Sequence, residues 1–136
     1  MLSFLLKKFN SETRLFFLIK GGLELGFKVF HYLEVKAQHL GRPGCKGARV
    51  RELISEEDGA ERFRFRMIEI MPSGSVPPHK HDYEHGVFML EGECIVICEG
   101  KRETIKAGSV VFIPANTLHS WHNPTDKPAL LLSADA

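Results

Sequence analysis

Three histidines, His79, His81 and His85, fall within seven residues of the stretch PPHKHDYEHGVFMLEGE, and a fourth, His119, follows in PANTLHSWHN. Imidazole is the commonest side-chain ligand of transition metals, and a neutral ring offers one nitrogen lone pair to an ion. Successive side chains of a strand point to opposite faces. The odd-numbered His79, His81 and His85 therefore look into one space if extended geometry persists from Asp82 to Glu84. His119 follows a tight turn, from which an incoming strand brings it beside the first three. Any one of these residues alone reads more simply as a surface or hydrogen-bonded core histidine. The grouping, with prolines before it and an apolar strand after it, points to a metal. His31, His39 and His122 lack such company, and His122 has the opposite parity to His119 and should point away.

The elements that must position these residues are predicted to be strands. After the turn-rich connector GRPGCKG, Gly41 to Gly47, the segment ARVRELI alternates, and DGAERFRFRMIEIMP follows an Asp-Gly turn signal. VFMLEGECIVICEGKRETI is predicted as two strands about Glu91-Gly92, AGSVVFIPANTLHSWHNP as another pair about Pro114 to Thr117, and PALLLSADA as a last strand. Many short strands between regularly spaced glycines and prolines imply a sandwich or small barrel. The expected organisation is one all-β domain over residues 31–136 preceded by an extension over residues 1–30.

That extension carries six of the ten phenylalanines, at Phe4, Phe9, Phe16, Phe17, Phe27 and Phe30. Its longest apolar run, LFFLI, stops at Lys20 and no small-residue cleavage site follows, so a signal peptide or stable membrane insertion is not expected. A partly helical segment with Leu2, Leu5, Leu6 and Phe9 on one stripe is expected instead. Such apolar surface needs cover, from the barrel or from a second subunit. Eighteen Lys plus Arg oppose seventeen Asp plus Glu, a net charge of +1 without a basic run, which excludes nucleic acid as the expected partner and favours a small molecule. Three cysteines, Cys45, Cys94 and Cys98, form no framework spacing, which suggests a reducing cytoplasm.

Two stretches resemble the paired motifs of the cupin superfamily. The first motif of that family runs from a glycine through His-x-His and a glutamate to a second glycine, and reads here as Gly74, His79, His81, His85 and Gly92. The second runs from a glycine through Pro-x-Gly and a histidine to an asparagine, and reads as Gly108, Pro114, Asn116, His119 and Asn123. The resemblance implies a double-stranded β-helix, or jelly-roll barrel, around one mononuclear site, and, since small cupins commonly pair as dimers, a homodimer is expected. Asn116 stands for the turn glycine, which asparagine can replace because it visits the left-handed region readily. His85 stands where the family usually has glutamate, while Glu84 has the wrong parity. The chain thus resembles the four-histidine subgroup of small cupins. This implies one divalent transition metal ion per chain (manganese, iron, copper or nickel) held by His79, His81, His85 and His119.

Four neutral ligands cancel none of the charge of a divalent ion, so the site would favour an enolate, phenolate or superoxide oxygen at its open positions. Zinc in the same four ligands would be closed and structural. By parity, Val87, Met89, Trp121 and Asn123 line the space, with Leu131 and Ser133 from the last strand close by. In RFRFRMIEI, Arg62, Arg64 and Arg66 share a face, and either form a solvated row or send Arg66 into the pocket as an anion handle. Mostly apolar walls suit a small aromatic or alkenyl compound. The leading expectation is an oxygenase-type oxidoreductase acting on an apolar or phenolic molecule. The rival is a metal-containing binding module or sensor without turnover, since no general base or nucleophile stands out.

Overall fold

The computed structural model describes residues 26–136; the expected helical stripe and Phe4, Phe9, Phe16 and Phe17 lie outside the described residues. Nine strands follow in order: β1 (Gln38–His39), β2 (Lys46–Ile54), β3 (Arg64–His79), β4 (His85–Glu91), β5 (Glu93–Cys98), β6 (Lys101–Lys106), β7 (Val110–Ile113), β8 (His119–His122) and β9 (Ala129–Asp135). All pairings are antiparallel, and the sheet curls so that β3 serves both of its halves. The first half of β3, Arg64–Ile70, pairs with β2 and β9, and β9 leads on through β4 to the edge strand β7. The second half, through Ser75 and Val76 to His79, pairs with β8, which leads through β5 to β6. The product is the jelly-roll barrel expected.

Three details of the chain path differ from the sequence expectation. The segment from Val87 to Ile105 forms three strands, because Glu99, at φ 49°, and Gly100, at φ 80°, make a second tight turn. The strands on either side of Pro114 do not pair with each other. β7 joins β4 while β8 joins β3 and β5, so the turn between them carries the chain across the barrel mouth. Extended geometry also stops at His79 and resumes only at His85.

Strand alternation divides the apolar residues between two cores. Ile70, Val87, Met89, Val96, Ile113 and Leu131 belong to the buried barrel interior. On the opposite face of the β2–β3–β9 layer, Leu53 and Met67 pack with Val35, and Phe30 and Tyr32 close over them. The described end of the N-terminal segment thus covers the outside of this sheet, opposite the face from which Arg66 reaches the interior, while Arg62 is exposed. Among the described residues no helix is long and apolar enough to cross a membrane. The three cysteines are free thiols, and burial pushes Cys94 up to about 12.

The turn between β4 and β5 depends on Gly92, whose φ of 81° is a left-handed conformation. A β-carbon there would lie 2.3 Å from the Pro128 carbonyl oxygen, whereas one at Gly100 would meet nothing within 4 Å. Gly100→Ala should therefore cost only the left-handed penalty of about 1–2 kcal/mol. Gly92→Ala adds a backbone clash and should cost about 2–4 kcal/mol. Urea unfolding of the two variants checks this; equal losses would show that the carbonyl moves aside freely.

Candidate metal centre

Four imidazoles meet at one end of the barrel. His79 ends β3 and lies opposite His119, the first residue of β8, with ring centroids 4.3 Å apart. His85 opens β4. His81 stands in the connection between β3 and β4, so strand parity is not what aims it. Two contacts do so instead. Its ring stacks on Tyr83 at 3.9 Å with planes 2° apart, and its carbonyl accepts from Asn116 N–H at 2.7 Å. Asn116 can make that bond because it sits at φ 59°, the left-handed conformation that the motif glycine would otherwise supply. His122 is exposed, as its parity in β8 requires, and Glu84, in the connection, is exposed as well.

The second ring nitrogen decides what each imidazole can do. Nδ1 of His79 donates to the Pro77 carbonyl at 2.8 Å, His81 to Tyr83 at 3.1 Å, and His119 to Thr117 at 2.8 Å. A carbonyl can only accept, so these rings carry their proton on Nδ1 and keep a lone pair on Nε2. His119 Nε2 is buried without a hydrogen-bond partner. An orphaned acceptor of this kind costs free energy unless something binds it. One ring nitrogen from each of His79, His81 and His119 lies within 4.8 Å of the others, a spacing that suits a single ion.

The fourth ring stands slightly apart. The His85 centroid is 5.3 Å from that of His81 and 5.7 Å from that of His119, and His85 is not in the tight group of three. Its Nδ1 bonds Asp135 Oδ1 at 2.5 Å, directly across the β4–β9 ladder. Ser133 Oγ donates to the same oxygen at 2.7 Å, while Arg66 and Arg64 approach Oδ2 at 2.8 and 3.3 Å. A carboxylate behind a histidine orients the ring and raises its basicity as a ligand. Asp135 was missed in the sequence, although it shares the parity of Leu131 and Ser133 in the last strand.

Below the rings lies a cavity with about 470 Å³ of empty space, its open mouth included. Of the residues expected to line it, Arg66, Val87, Trp121 and Leu131 do so, together with Ile68 and Ile70. The other three lie elsewhere. Met89 is fully buried in the barrel core. Ser133 is turned toward Asp135 and His85. Asn123 is also fully buried, and its amide donates to the Ile70 and Lys127 carbonyls while its oxygen accepts from Thr125. Asn123 clamps the bend of β3 to the β8–β9 loop and has no polar atom left for a ligand. Tyr83 and Arg42 line the mouth and were not anticipated.

A model of the cupin domain matches residues 66–135, a span that includes the four histidines and Asp135. The chain belongs to the cupin family. Among solved structures, this cupin is similar to the polyketide cyclase RemF from Streptomyces resistomycificus. Identity is 33% over 81% of this chain and 79% of that one, with a TM-score of 0.77. A predicted oxalate decarboxylase from Thermotoga maritima is 28% identical over 79% of this chain and 97% of that one, with a TM-score of 0.73. KdgF from Halomonas sp. shares the fold alone, at 16% identity, 79% and 93% coverage and a TM-score of 0.68. The curated proteins contain no significant match.

Electrostatics in the cupin site favour neutral rings. Burial lowers the pKa of His119 to about 4, with the neighbouring histidines adding to the effect. His79 and His81 are lowered too, first by burial and then by the charges of Arg42 and the other rings. Burial would raise the Asp135 carboxyl, but the His85 hydrogen bond and the Arg66 charge hold it well below the usual carboxylate range.

Asp135→Asn keeps the shape of the side chain but removes its charge. Metal affinity should fall about 10- to 100-fold, measured by competition with a chelator, whereas His122→Ala should leave it unchanged. The histidine shifts also fix a pH dependence for the metal-free protein. Between about 6.5, the ordinary histidine value, and about 4 for His119, the unfolded chain binds more protons than the folded one. Stability must therefore fall as pH is lowered through that window. Asp135, with its depressed carboxyl, adds stability that is lost only below about pH 4. Urea midpoints of the metal-free protein should be lower at pH 5 than at pH 7, and a higher midpoint at pH 5 would contradict the assignment.

Proposed function

We propose that His79, His81, His85 and His119 together hold one divalent transition metal ion, and that this cupin is an enzyme acting on a small, largely apolar molecule with an enol or phenol oxygen. The observation that carries the reading is the set of lone pairs kept free by Nδ1 hydrogen bonds at the head of an apolar cavity. A bound manganese, iron, copper or nickel ion would supply Lewis acidity, and a redox-active one access to dioxygen. The chain supplies the rest. Ile68, Ile70, Val87, Trp121 and Leu131 exclude water and hold apolar carbon. Tyr83 Oη accepts from Arg64 at 3.1 Å, which leaves its own proton available to the cavity.

The similarity to a polyketide cyclase favours condensation of an enolisable polyketone, in which no oxygen is consumed. The oxygenase reading is favoured by the all-neutral ligand set, which would leave the full charge of the ion to draw in an anionic oxygen species. Two measurements separate the readings from each other and from a binding module. Purified protein should contain about one transition metal ion per chain. His79→Ala, His81→Ala, His85→Ala and His119→Ala should each lose most of it, while His122→Ala should retain it. Metal-loaded protein given an aromatic polyketone in a sealed oxygen electrode then reports the reaction class. Product without oxygen uptake supports cyclisation, and uptake in step with product supports oxygenation. Tight binding with neither supports the module, and loss of metal from His122→Ala alone would sink the ligand assignment.

A further inference from the structure

The two arginines that line the cavity are not equivalent. Arg66 is nearly buried, and its charge is matched by Asp135 at 2.8 Å. Arg42 is half-buried at the mouth, and among the described residues it makes no ion pair and no side-chain hydrogen bond. No aspartate or glutamate lines the cavity. An unmatched guanidinium thus faces a largely apolar space already ringed by neutral imidazoles.

Its position is built. Arg42 belongs to the connection between β1 and β2, where its carbonyl accepts from Cys45 N–H at 3.1 Å and Leu40 N–H donates to Ala48 at 2.9 Å. Gly44, at φ 82°, brings this turn against Pro77, where an added β-carbon would lie 3.0 Å from the Pro77 ring. Pro77 is the residue whose carbonyl pins His79. The turn that carries Arg42 and the strand end that carries His79 are therefore packed as one piece.

We infer that Arg42 is the specificity residue of this cavity and that the ligand it selects is an apolar molecule bearing a carboxylate, whose carboxylate pairs with the guanidinium at the mouth while its ring or chain lies against Ile68, Val87 and Leu131. The assignment rests on the proposed function for the identity of the pocket as the active site, but not on the metal. Arginine matches a carboxylate with two parallel N–H···O bonds, and a lysine at the same place would keep the charge but lose the fork. Asp135 already matches the charge of Arg66, so Arg42 is the guanidinium whose charge remains for a ligand.

Salicylate and its uncharged analogue salicylamide test this by calorimetric titration of wild type, Arg42→Ala and Arg42→Lys, each in metal-loaded and chelator-treated form. Wild type should prefer salicylate by about 10-fold or more. Arg42→Ala should abolish the preference in the chelator-treated form and reduce it in the metal-loaded form with metal content unchanged, and Arg42→Lys should retain part of it. The preference should persist, though weaker, in chelator-treated wild type. If the protein as purified holds no metal but still discriminates through Arg42, the metal reading fails and this one stands. Equal preference in wild type and Arg42→Ala, or no salicylate binding by wild type at millimolar concentration, overturns it.

Discussion

The arrangement turns on a hydrogen bond that points away from the site. An imidazole can offer a lone pair inward only if its other nitrogen is committed outward, and each of the four rings is committed at Nδ1. Three of the acceptors are carbonyls two residues away along the chain, so the local backbone path fixes ring and tautomer together. That is why the ends of β3 and β8 matter more than their middles. Pro77 lies two residues before the end of β3, while Tyr83 and Thr117 lie in the connections that lead into β4 and β8, and their carbonyls are the acceptors the histidines take. His85 opens β4 between two neighbours, and its partner is a side chain instead.

That side chain, Asp135, has competing claims on it. One oxygen takes His85 and Ser133, the other takes Arg66 and Arg64. A buried carboxylate is tolerable only when so fully satisfied. Its charge is consequently spent on Arg66, and it confers orientation on His85 without making the cavity acidic. Among the residues that line the cavity, Arg42 is the charged side chain without an opposite partner.

Residue type and spacing made the all-β barrel and the gathering of His79, His81 and His119 readable before any coordinates, and the motif resemblance supplied the left-handed turn at Asn116. Parity failed where the chain left extended geometry. His81 reaches the site from an irregular connection, through stacking on Tyr83, which periodicity does not encode. Asn123 has the parity of a wall residue, but four hydrogen bonds to backbone and loop hold it elsewhere. The second turn at Glu99-Gly100 was hidden by a continuous β-type pattern. Arg42 was beyond reach because its turn carries no period at all, and only the packing of Gly44 on Pro77 brings it to the mouth.

The bond between His85 and Asp135 joins residues 50 apart, and that between Arg64 and Asp135 joins residues 71 apart. Contacts of such range form only after large loops have closed, and closing them is slow. The carboxylate end of the site therefore comes into existence with the wound barrel and not with any fragment of it. Whatever binds across these elements binds the native fold and ignores the unfolded chain, so occupancy draws the folding equilibrium toward the native side in proportion to ligand concentration. The site is in this sense a latch on the topology.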